Sequence, residues 1–264
     1  MRKLFISIFA STCGTVYAVM NPQSINPALL GSTQVAAAAR CSDVETTDLV
    51  AYYKYEEGSG TSVNDDSSGG THDLTLFNTP TWTTGMCGGG LNFASASTEY
   101  GTGASPPAIG DDDTFSICTW FKSSMATAGV FYSEGNTITD TPLLTFRMSH
   151  AVAGDISFGL RDTTGVQVVN YSSGDIGSDD GAWHHACIVQ TAGDARQLYF
   201  DGAASGGGDT TDVSLARSVD TIGIGRLERL TPSSYFNGDL DNTRSYSSAI
   251  TSTQVSNIFN DEKP

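Results

Sequence analysis

Short apolar segments separated by polar turns run along most of the chain. Residues 49–55 are rich in aromatic side chains and end in a Glu-Glu-Gly-Ser-Gly turn, and residues 156–160 place apolar side chains at every second position. Segments of this length, with Gly, Asp, Ser and Thr between them, are typical of strands in an all-β sandwich. The further predicted strands are residues 114–122, 143–148, 166–171, 184–190, 197–200 and 219–225.

One short helix is predicted near the end of the chain. Thr251 can cap its N-terminus, and Gln254 three residues later completes a capping box. Ile250 and Val255 occupy the positions of the hydrophobic staple that often flanks such a box. We therefore expect a helix that covers part of the core and carries no chemistry.

The first eighteen residues resemble an export signal. Two basic residues, Arg2 and Lys3, precede an apolar or small run over residues 4–19, and residues 16–18 (Val-Tyr-Ala) fit a cleavage site. We predict a signal peptide over residues 1–18; a buried strand or the attachment arm of an assembled particle is the alternative. The run is too short and too interrupted for a membrane span, so we expect no membrane insertion.

The next segment, residues 19–41, has two Asn-Pro steps and an Ala run without helical periodicity. This pattern predicts a linker or arm, or a second part of a pro-region. The folded domain is then expected over residues 42–264.

The net charge limits the kinds of molecule that the chain is expected to bind. The chain has 264 residues with 13 Lys and Arg against 29 Asp and Glu, which gives a net charge of -16. A basic surface is needed to bind phosphate backbones or anionic lipids, so neither nucleic acid nor an anionic membrane is an expected partner. Asp supplies 22 of the acids, mostly in turn-like stretches. Acids on turns either interact with solvent or ligate a hard cation.

The cysteines indicate an oxidising compartment. Cys13 lies in the predicted signal, which leaves an even number in an exported chain: Cys41, Cys87, Cys118 and Cys187. Four cysteines allow three pairings, and their spacing does not choose among them. A zinc site is the weaker alternative, because the chain has no Cys-x-x-Cys and residues 184–187 (His-His-Ala-Cys) lie along one predicted strand.

Six segments resemble motifs of the concanavalin A-like jelly rolls, the group that includes laminin-G-like domains and pentraxins. They occur in family order over residues 48–260, and any one of them alone is a weak signal. They are GMCGGGLNF at 85–93, FSICTWF at 115–121, GAWHHA at 181–186, LYFDG at 198–202, IGIGR at 222–226 and FNGDLDN at 236–242. The resemblance implies an all-β, two-sheet antiparallel jelly-roll sandwich of the lectin/glucanase type, laminin-G-like over residues 42–264, with one short C-terminal helix.

The resemblance also implies roles for particular residues. Trp120 and Trp183 are expected to fill the core between the two sheets. His184 and His185 are expected to face opposite sides of one strand. Pentraxins join the two strands that here contain Cys118 and Cys187 by a disulfide, which implies that pair and leaves Cys41 with Cys87.

Laminin-G-like and pentraxin domains often bind calcium at one edge of the sandwich. The segment that contains Asp140 lies where pentraxins carry an Asp-Asn pair, although Thr141 departs from that pair. Between Gly225 and Phe236, Glu228 is the only acid, so a double site is not expected. We predict a single Ca²⁺ with Asp140 and Glu228 as its candidate ligands.

The motifs of enzymes are missing from the sequence. Glycoside hydrolases of this fold carry an E-x-D-x-x-E strand, and the chain has none, nor an H-E-x-x-H or G-x-S-x-G motif. We predict no catalytic residues. The leading hypothesis is a secreted, non-catalytic module, extracellular or at the cell surface, that binds glycans or glycoproteins, with calcium as its cofactor.

Exposed aromatic side chains would stack on sugars, with core packing the alternative fate of each candidate. These candidates are Trp82, Tyr132, Tyr171 and Tyr235. Two further functions stay open. One is a structural jelly roll that assembles with copies of itself in a cell-surface layer, filament or virus particle, and the other is a divergent glycoside hydrolase.

Overall fold

Strands dominate the part of the chain that the computed structural model describes, which is residues 41–107, 109, 112–211 and 218–263. The predicted signal peptide and all of the predicted linker except Cys41 lie outside these residues. The strands are β1 (Leu49–Tyr53), β2 (Ser62–Val63), β3 (Leu74–Phe77), β4 (Thr81–Thr84), β5 (Gly89–Phe93), β6 (Tyr100–Gly103), β7 (Phe115–Lys122), β8 (Gly129–Gly135), β9 (Leu143–Met148), β10 (Ile156–Arg161), β11 (Gln167–Ser172), β12 (Trp183–Ala192), β13 (Ala195–Phe200), β14 (Ala203–Asp209), β15 (Thr221–Ile224) and β16 (Gly238–Tyr246). One helix, α1 (Ser252–Glu262), follows them.

The strands form two antiparallel sheets. Sheet A has the order β14-β13-β12-β7-β16-β5-β4, and β1 also pairs with β16. Sheet B has the order β11-β10-β9-β8-β15-β6-β3-β2. This architecture confirms the predicted two-sheet jelly roll with one C-terminal helix.

Aromatic side chains fill the space between the sheets. Alternate residues of β7 point inward, so that the Phe115 ring lies 5.8 Å from the ring of Phe158. The Phe121 ring lies 4.5 Å from that of Phe131, and all four residues are fully buried. Because side chains alternate along a strand, the intervening residues of β7 face away from this core.

The outer face of sheet A is covered by α1. Trp120 is buried there, with its ring 5.5 Å from Phe259 of the helix, so the expectation that it lies between the sheets is wrong. Its neighbour Phe121 takes the inward position. Trp183 is only half-buried, because it pairs with the exposed Lys122 where β12 begins. The two histidines do face opposite sides, with His185 5.1 Å from the Trp120 ring and His184 between Asp180 and Asp201.

The helix has the predicted capping box. The Thr251 side chain accepts a hydrogen bond from the backbone N–H of Gln254, and the Gln254 side chain accepts one from the backbone N–H of Thr251. At the other end, Glu262 is buried against sheet A. Its carboxylate accepts hydrogen bonds from the Arg244 guanidinium and from Nε1 of Trp120. Burial raises the pKa of Glu262, and the charge of Arg244 acts against that rise.

Both disulfides that the resemblance implies are present. Cys118 and Cys187 are directly opposite on β7 and β12, beneath α1. Cys41 is bonded to Cys87 in the turn between β4 and β5, which ties the start of the described chain to sheet A.

Candidate binding site

The outer face of sheet B carries a row of small and polar residues. Paired residues of neighbouring strands share a face, and this row alternates with the inward-facing apolar residues of the same strands. The two ends of the row are exposed, and its four central residues are buried. From β3 to β11 it consists of Thr75, Thr102, Gly223, Ser133, Thr145, Gly159 and Asn170. We call these seven residues the polar row.

A groove of about 520 Å³ opens at the β3 end of the polar row. Thr75, Thr102 and Phe77 line its floor, with Asp220 and Arg226 among its other lining residues. We call this cavity the sheet B groove. It is open to solvent beside strands that are themselves held rigidly in the sheet, which is the setting in which binding sites are usually found.

An aromatic and cationic cluster forms one side of the groove. Phe77 is 41% exposed, and its ring is stacked on that of Tyr100 at 5.0 Å and 8°. The guanidinium of Arg226 lies 3.3 Å from the centre of the Tyr100 ring, and the Tyr235 ring is 6.4 Å from the same ring. A cation over an aromatic face is attracted to it, so this cluster is preorganised. The Phe77 ring keeps part of its surface exposed to solvent in the groove.

Arg226 is held by Glu228 in a two-point ion pair, with Nε to Oε2 at 2.7 Å and Nη2 to Oε1 at 2.8 Å. The backbone N–H of Glu228 donates to Oγ of Ser133 at 2.9 Å, and that hydroxyl donates to the carbonyl of Arg226. Gly223 permits the close approach, since a Cβ there would lie 2.8 Å from Cβ of Glu228. Burial acts to lower the pKa of Arg226, but the hydrogen bonds and charge of Glu228 raise it overall.

The remaining polar groups of the groove are also fixed in place. The Asp220 carboxylate accepts from the backbone and the hydroxyl of Thr137, at 2.8 and 2.9 Å. The Thr102 hydroxyl donates to the carbonyl of Ile222 at 2.8 Å. An exposed ring beside oriented donors and acceptors is suited to a ligand that is apolar on one face and rich in hydroxyls at its edge.

The two predicted calcium ligands both contact arginines. Oδ1 of Asp140 accepts from the backbone of Thr231 at 2.8 Å and lies 3.7 Å from Nε of Arg229. Glu228 is engaged by Arg226 as described. Among the described residues, the one close group of three acidic, histidine or cysteine side chains is Cys118, His185 and Cys187, whose sulfurs form a disulfide. The calcium site therefore stays a prediction.

The four aromatic candidates fall in different places. Tyr132 and Tyr171 are buried on the core side of sheet B. Trp82 is half-buried on the edge strand β4 of sheet A, with Nε1 donating to the carbonyl of Gly60. Of the four, Tyr235 is the one that joins the cluster at the groove.

Phe77, Tyr100 and Arg226 were not predicted as site residues. Phe77 ends the segment Leu-Thr-Leu-Phe, in which Thr75 and Phe77 alternate with two buried leucines. This alternation was the available signal, because an aromatic residue in register with a polar position of a half-buried strand faces solvent. The approach of Arg226 to Tyr100 comes from residues far apart in the chain and has no local signal.

The sequence and the fold define a class of protein. The family model described as the concanavalin A-like lectin/glucanases superfamily matches residues 95–256. Since this is more than half of the chain, the chain belongs to that superfamily. No curated protein matches the sequence.

Solved structures with the same fold include several binding domains. The binding domain of Paraclostridial Mosquitocidal Protein 1 has a TM-score of 0.63 at 13% identity, covering 81% of this chain and 52% of that one. The binding domain of botulinum neurotoxin DC in complex with SialylT has a TM-score of 0.59 at 10% identity, covering 83% and 52%. The chain thus spans about half the length of these toxin domains.

A similar structure of matching length is domain 4 of AbnA, a GH43 extracellular arabinanase from Geobacillus stearothermophilus, in complex with arabinotriose. It has a TM-score of 0.59 at 16% identity, covering 80% of this chain and 98% of that one. At these identities the likeness establishes the fold alone. In the described part of the chain, α1 is too short and too polar to cross a membrane.

Proposed function

We propose that the chain is a secreted, non-catalytic module that binds glycans or glycoproteins through the sheet B groove. The observation that carries this proposal is the exposed Phe77 ring, stacked on Tyr100 beside the fixed Arg226–Glu228 pair in a cavity of about 520 Å³. Sugars offer an apolar ring face and a hydroxyl edge, which match this arrangement.

The similar structures support a carbohydrate ligand. Domain 4 of the Geobacillus arabinanase was solved with arabinotriose, and the botulinum neurotoxin DC binding domain with SialylT. Two disulfides among the described residues support export to an oxidising compartment.

The engagement of two of the three carboxylates that line the groove supports a non-catalytic role. Both oxygens of Glu228 accept from Arg226, and both oxygens of Asp220 accept from Thr137. A glycosidase needs one carboxyl group that holds a proton for the leaving oxygen. Glu228 instead directs both of its carboxylate oxygens to Arg226.

Binding to an array of oligosaccharides, followed by calorimetry with the best ligand, tests the proposal. We expect Phe77→Ala to weaken that ligand at least tenfold, because stacking on the ring is lost. Val152→Ala is the matched control, since Val152 is 47% exposed in the loop between β9 and β10. Unchanged affinity in Phe77→Ala, or hydrolysis of the ligand by the wild-type protein, would contradict the proposal.

The proposal includes one calcium ion at Asp140, whose side chain is 48% exposed. Bound calcium stabilises the folded state by mass action, so the melting temperature is expected to rise with millimolar CaCl₂ and to return with a chelator. Asp140→Asn is expected to lose this response. If neither CaCl₂ nor the chelator changes the melting temperature of the wild-type protein, calcium is not part of the proposed function.

A further inference from the structure

Arg147 of β9 is a buried arginine that has no ionic partner among the described residues. It is 8% exposed, its Nη2 donates to Oδ1 of Asn170 at 3.2 Å, and its buried Nε has no hydrogen-bond partner. Four other described arginines lie within 4.0 Å of a carboxylate: Arg196, Arg226, Arg229 and Arg244. Arg147 and Arg161 are the two described arginines that have no such ion pair.

The guanidinium of Arg147 lies on the outer face of sheet B, over Gly159. A Cβ on Gly159 would approach Nη2 of Arg147 to 3.0 Å, so glycine lets the side chain lie flat on the sheet. Asn170, which accepts from that nitrogen, is exposed. The head group of Arg147 therefore lies beside an exposed residue at the β11 end of the polar row, although Arg147 itself is buried. Beside its stem, Oγ of Ser157 is buried without a hydrogen-bond partner.

The charges around Arg147 leave it uncompensated. Burial lowers its pKa to about 10; Asp155 acts to raise it and Arg161 to lower it. Asp155 is already engaged, because its oxygens accept from His150 N, Ala151 N and the Ser172 hydroxyl. Arg161 follows Gly159 by two residues on β10 and so shares its face. A desolvated charge without a counter-charge is unfavourable, and an incoming anion would supply one.

We propose that Arg147 and Arg161 form a subsite for the carboxylate or sulfate group of an acidic glycan. This inference rests on the proposed function, since the same glycan would occupy the sheet B groove. Gly159 and Gly223 are three strands apart, roughly 14 Å at the usual strand spacing. A ligand that occupies both sites is therefore an oligosaccharide long enough to span this distance over the buried middle of the polar row, with its acidic group at the β10 end.

The test compares neutral oligosaccharides with their uronate-containing or sulfated counterparts, by calorimetry at low and at moderate salt. Acidic ligands are expected to bind the wild-type protein at least tenfold more tightly, with a difference that shrinks as salt rises. Arg147→Met and Arg161→Gln should each remove at least tenfold of acidic-ligand affinity and leave neutral ligands unchanged. Arg229→Gln is the matched control, since that guanidinium is paired near Asp140.

A second readout separates this subsite from the proposed function. Inorganic sulfate should raise the melting temperature of the wild-type protein and of Phe77→Ala, but not that of Arg161→Gln. If no oligosaccharide binds and this sulfate effect persists, the proposed function fails and the anion subsite stands. If glycans bind through Phe77 while Arg161→Gln binds acidic and neutral forms as the wild type does, the subsite is overturned. Arg161→Gln decides the case even if Arg147→Met does not fold.

Discussion

The two outer faces of the sandwich differ in what covers them. On sheet A, α1 buries Trp120 together with the Arg244–Glu262 pair, so this face is a second core. On sheet B, the groove beside Phe77 is open to solvent at the β3 end of the polar row, whereas the middle of the row is buried. One scaffold thus closes one outer face with a helix and keeps a groove at the edge of the other, where we propose that a ligand binds.

The buried arginines on the two faces also differ in their partners. Arg244 is fully buried and paired with Glu262, which makes it part of the folded structure. Arg147 is nearly as buried and has no carboxylate partner. A paired buried charge is compensated within the chain, whereas an unpaired one requires compensation from outside.

The largest effect is expected from Glu262→Gln on the closed face. It leaves Arg244 buried without a counter-charge, which destabilises proteins by about 3–5 kcal/mol. Urea unfolding of the variant measures this loss. Replacing both partners with apolar residues should recover much of it, because no buried charge then remains. Wild-type stability in Glu262→Gln would show that the closed face does not depend on the pair.

The disulfide of the closed face should come next. Replacing both Cys118 and Cys187 with Ala removes a link across 69 residues of sequence. Links of this kind typically contribute about 2–4 kcal/mol, and urea unfolding of the variant gives the value. The wild-type protein under reducing conditions should approach the stability of a variant that lacks both disulfides. A double Ala variant that unfolds at the wild-type urea concentration would contradict the prediction.

Asp241 makes the stability of the closed face depend on pH. Burial raises its pKa to about 8, with Glu262 adding to the rise and the Cys87 amide opposing it. Between pH about 4 and 8 the folded state keeps a proton that the unfolded state loses, so this contribution is fully present at acid pH. It declines by up to about 1.4 kcal/mol per pH unit as the pH rises to about 8.

Asp241→Asn isolates this contribution, because the amide stays neutral at every pH. Relative to the wild type, the variant should gain stability steadily from pH 4 to pH 8 and then level off. Urea unfolding at pH 4.5, 6, 7.5 and 9 gives the difference at each point, and the other titrating groups cancel in it. A difference independent of pH would show that Asp241 is ionised in the folded protein.

The smallest effects compare one phenylalanine on each face. Phe77→Ala on the open face is expected to lower stability by less than about 1 kcal/mol, since the ring is 41% exposed. Phe259→Ala should lower it by about 1–3 kcal/mol, because the ring packs on Trp120. Melting temperatures of the two variants provide the comparison. Equal losses would mean that the open face contributes to stability as much as the closed one.

Local patterns predicted much of the fold. Alternating apolar residues at 156–160 become β10, and the pair Thr251 and Gln254 begins α1 as expected. The two misplaced tryptophans show where the pattern stops being sufficient. Trp120 is buried, as its size suggests, but the strand parity puts Phe121 inward and Trp120 under the helix. A large apolar residue indicates that its position is buried, but it does not indicate which of two cores buries it.

The sequence predicted less of the candidate site than of the fold. Tyr235 was among the predicted aromatic candidates, but its position beside Tyr100 depends on a loop that returns across sheet B. Asp140 and Glu228 were predicted as oxygen ligands of calcium. In the structure each of them lies beside an arginine, Asp140 near Arg229 and Glu228 near Arg226. Charge type is visible in a sequence, whereas the partner of a charge depends on three-dimensional proximity.

The strands, the capped helix, the superfamily and an even set of cysteines could all be predicted, because they follow from local periodicity and short motifs. Only the tertiary structure decided which outer face is closed by α1 and which is open. It also decided that Phe77, Arg226 and Arg147 lie along one sheet face, since the strand order brings together residues up to 150 positions apart. The long-range register of the sheets, which no local pattern encodes, therefore creates the surface that we propose for binding.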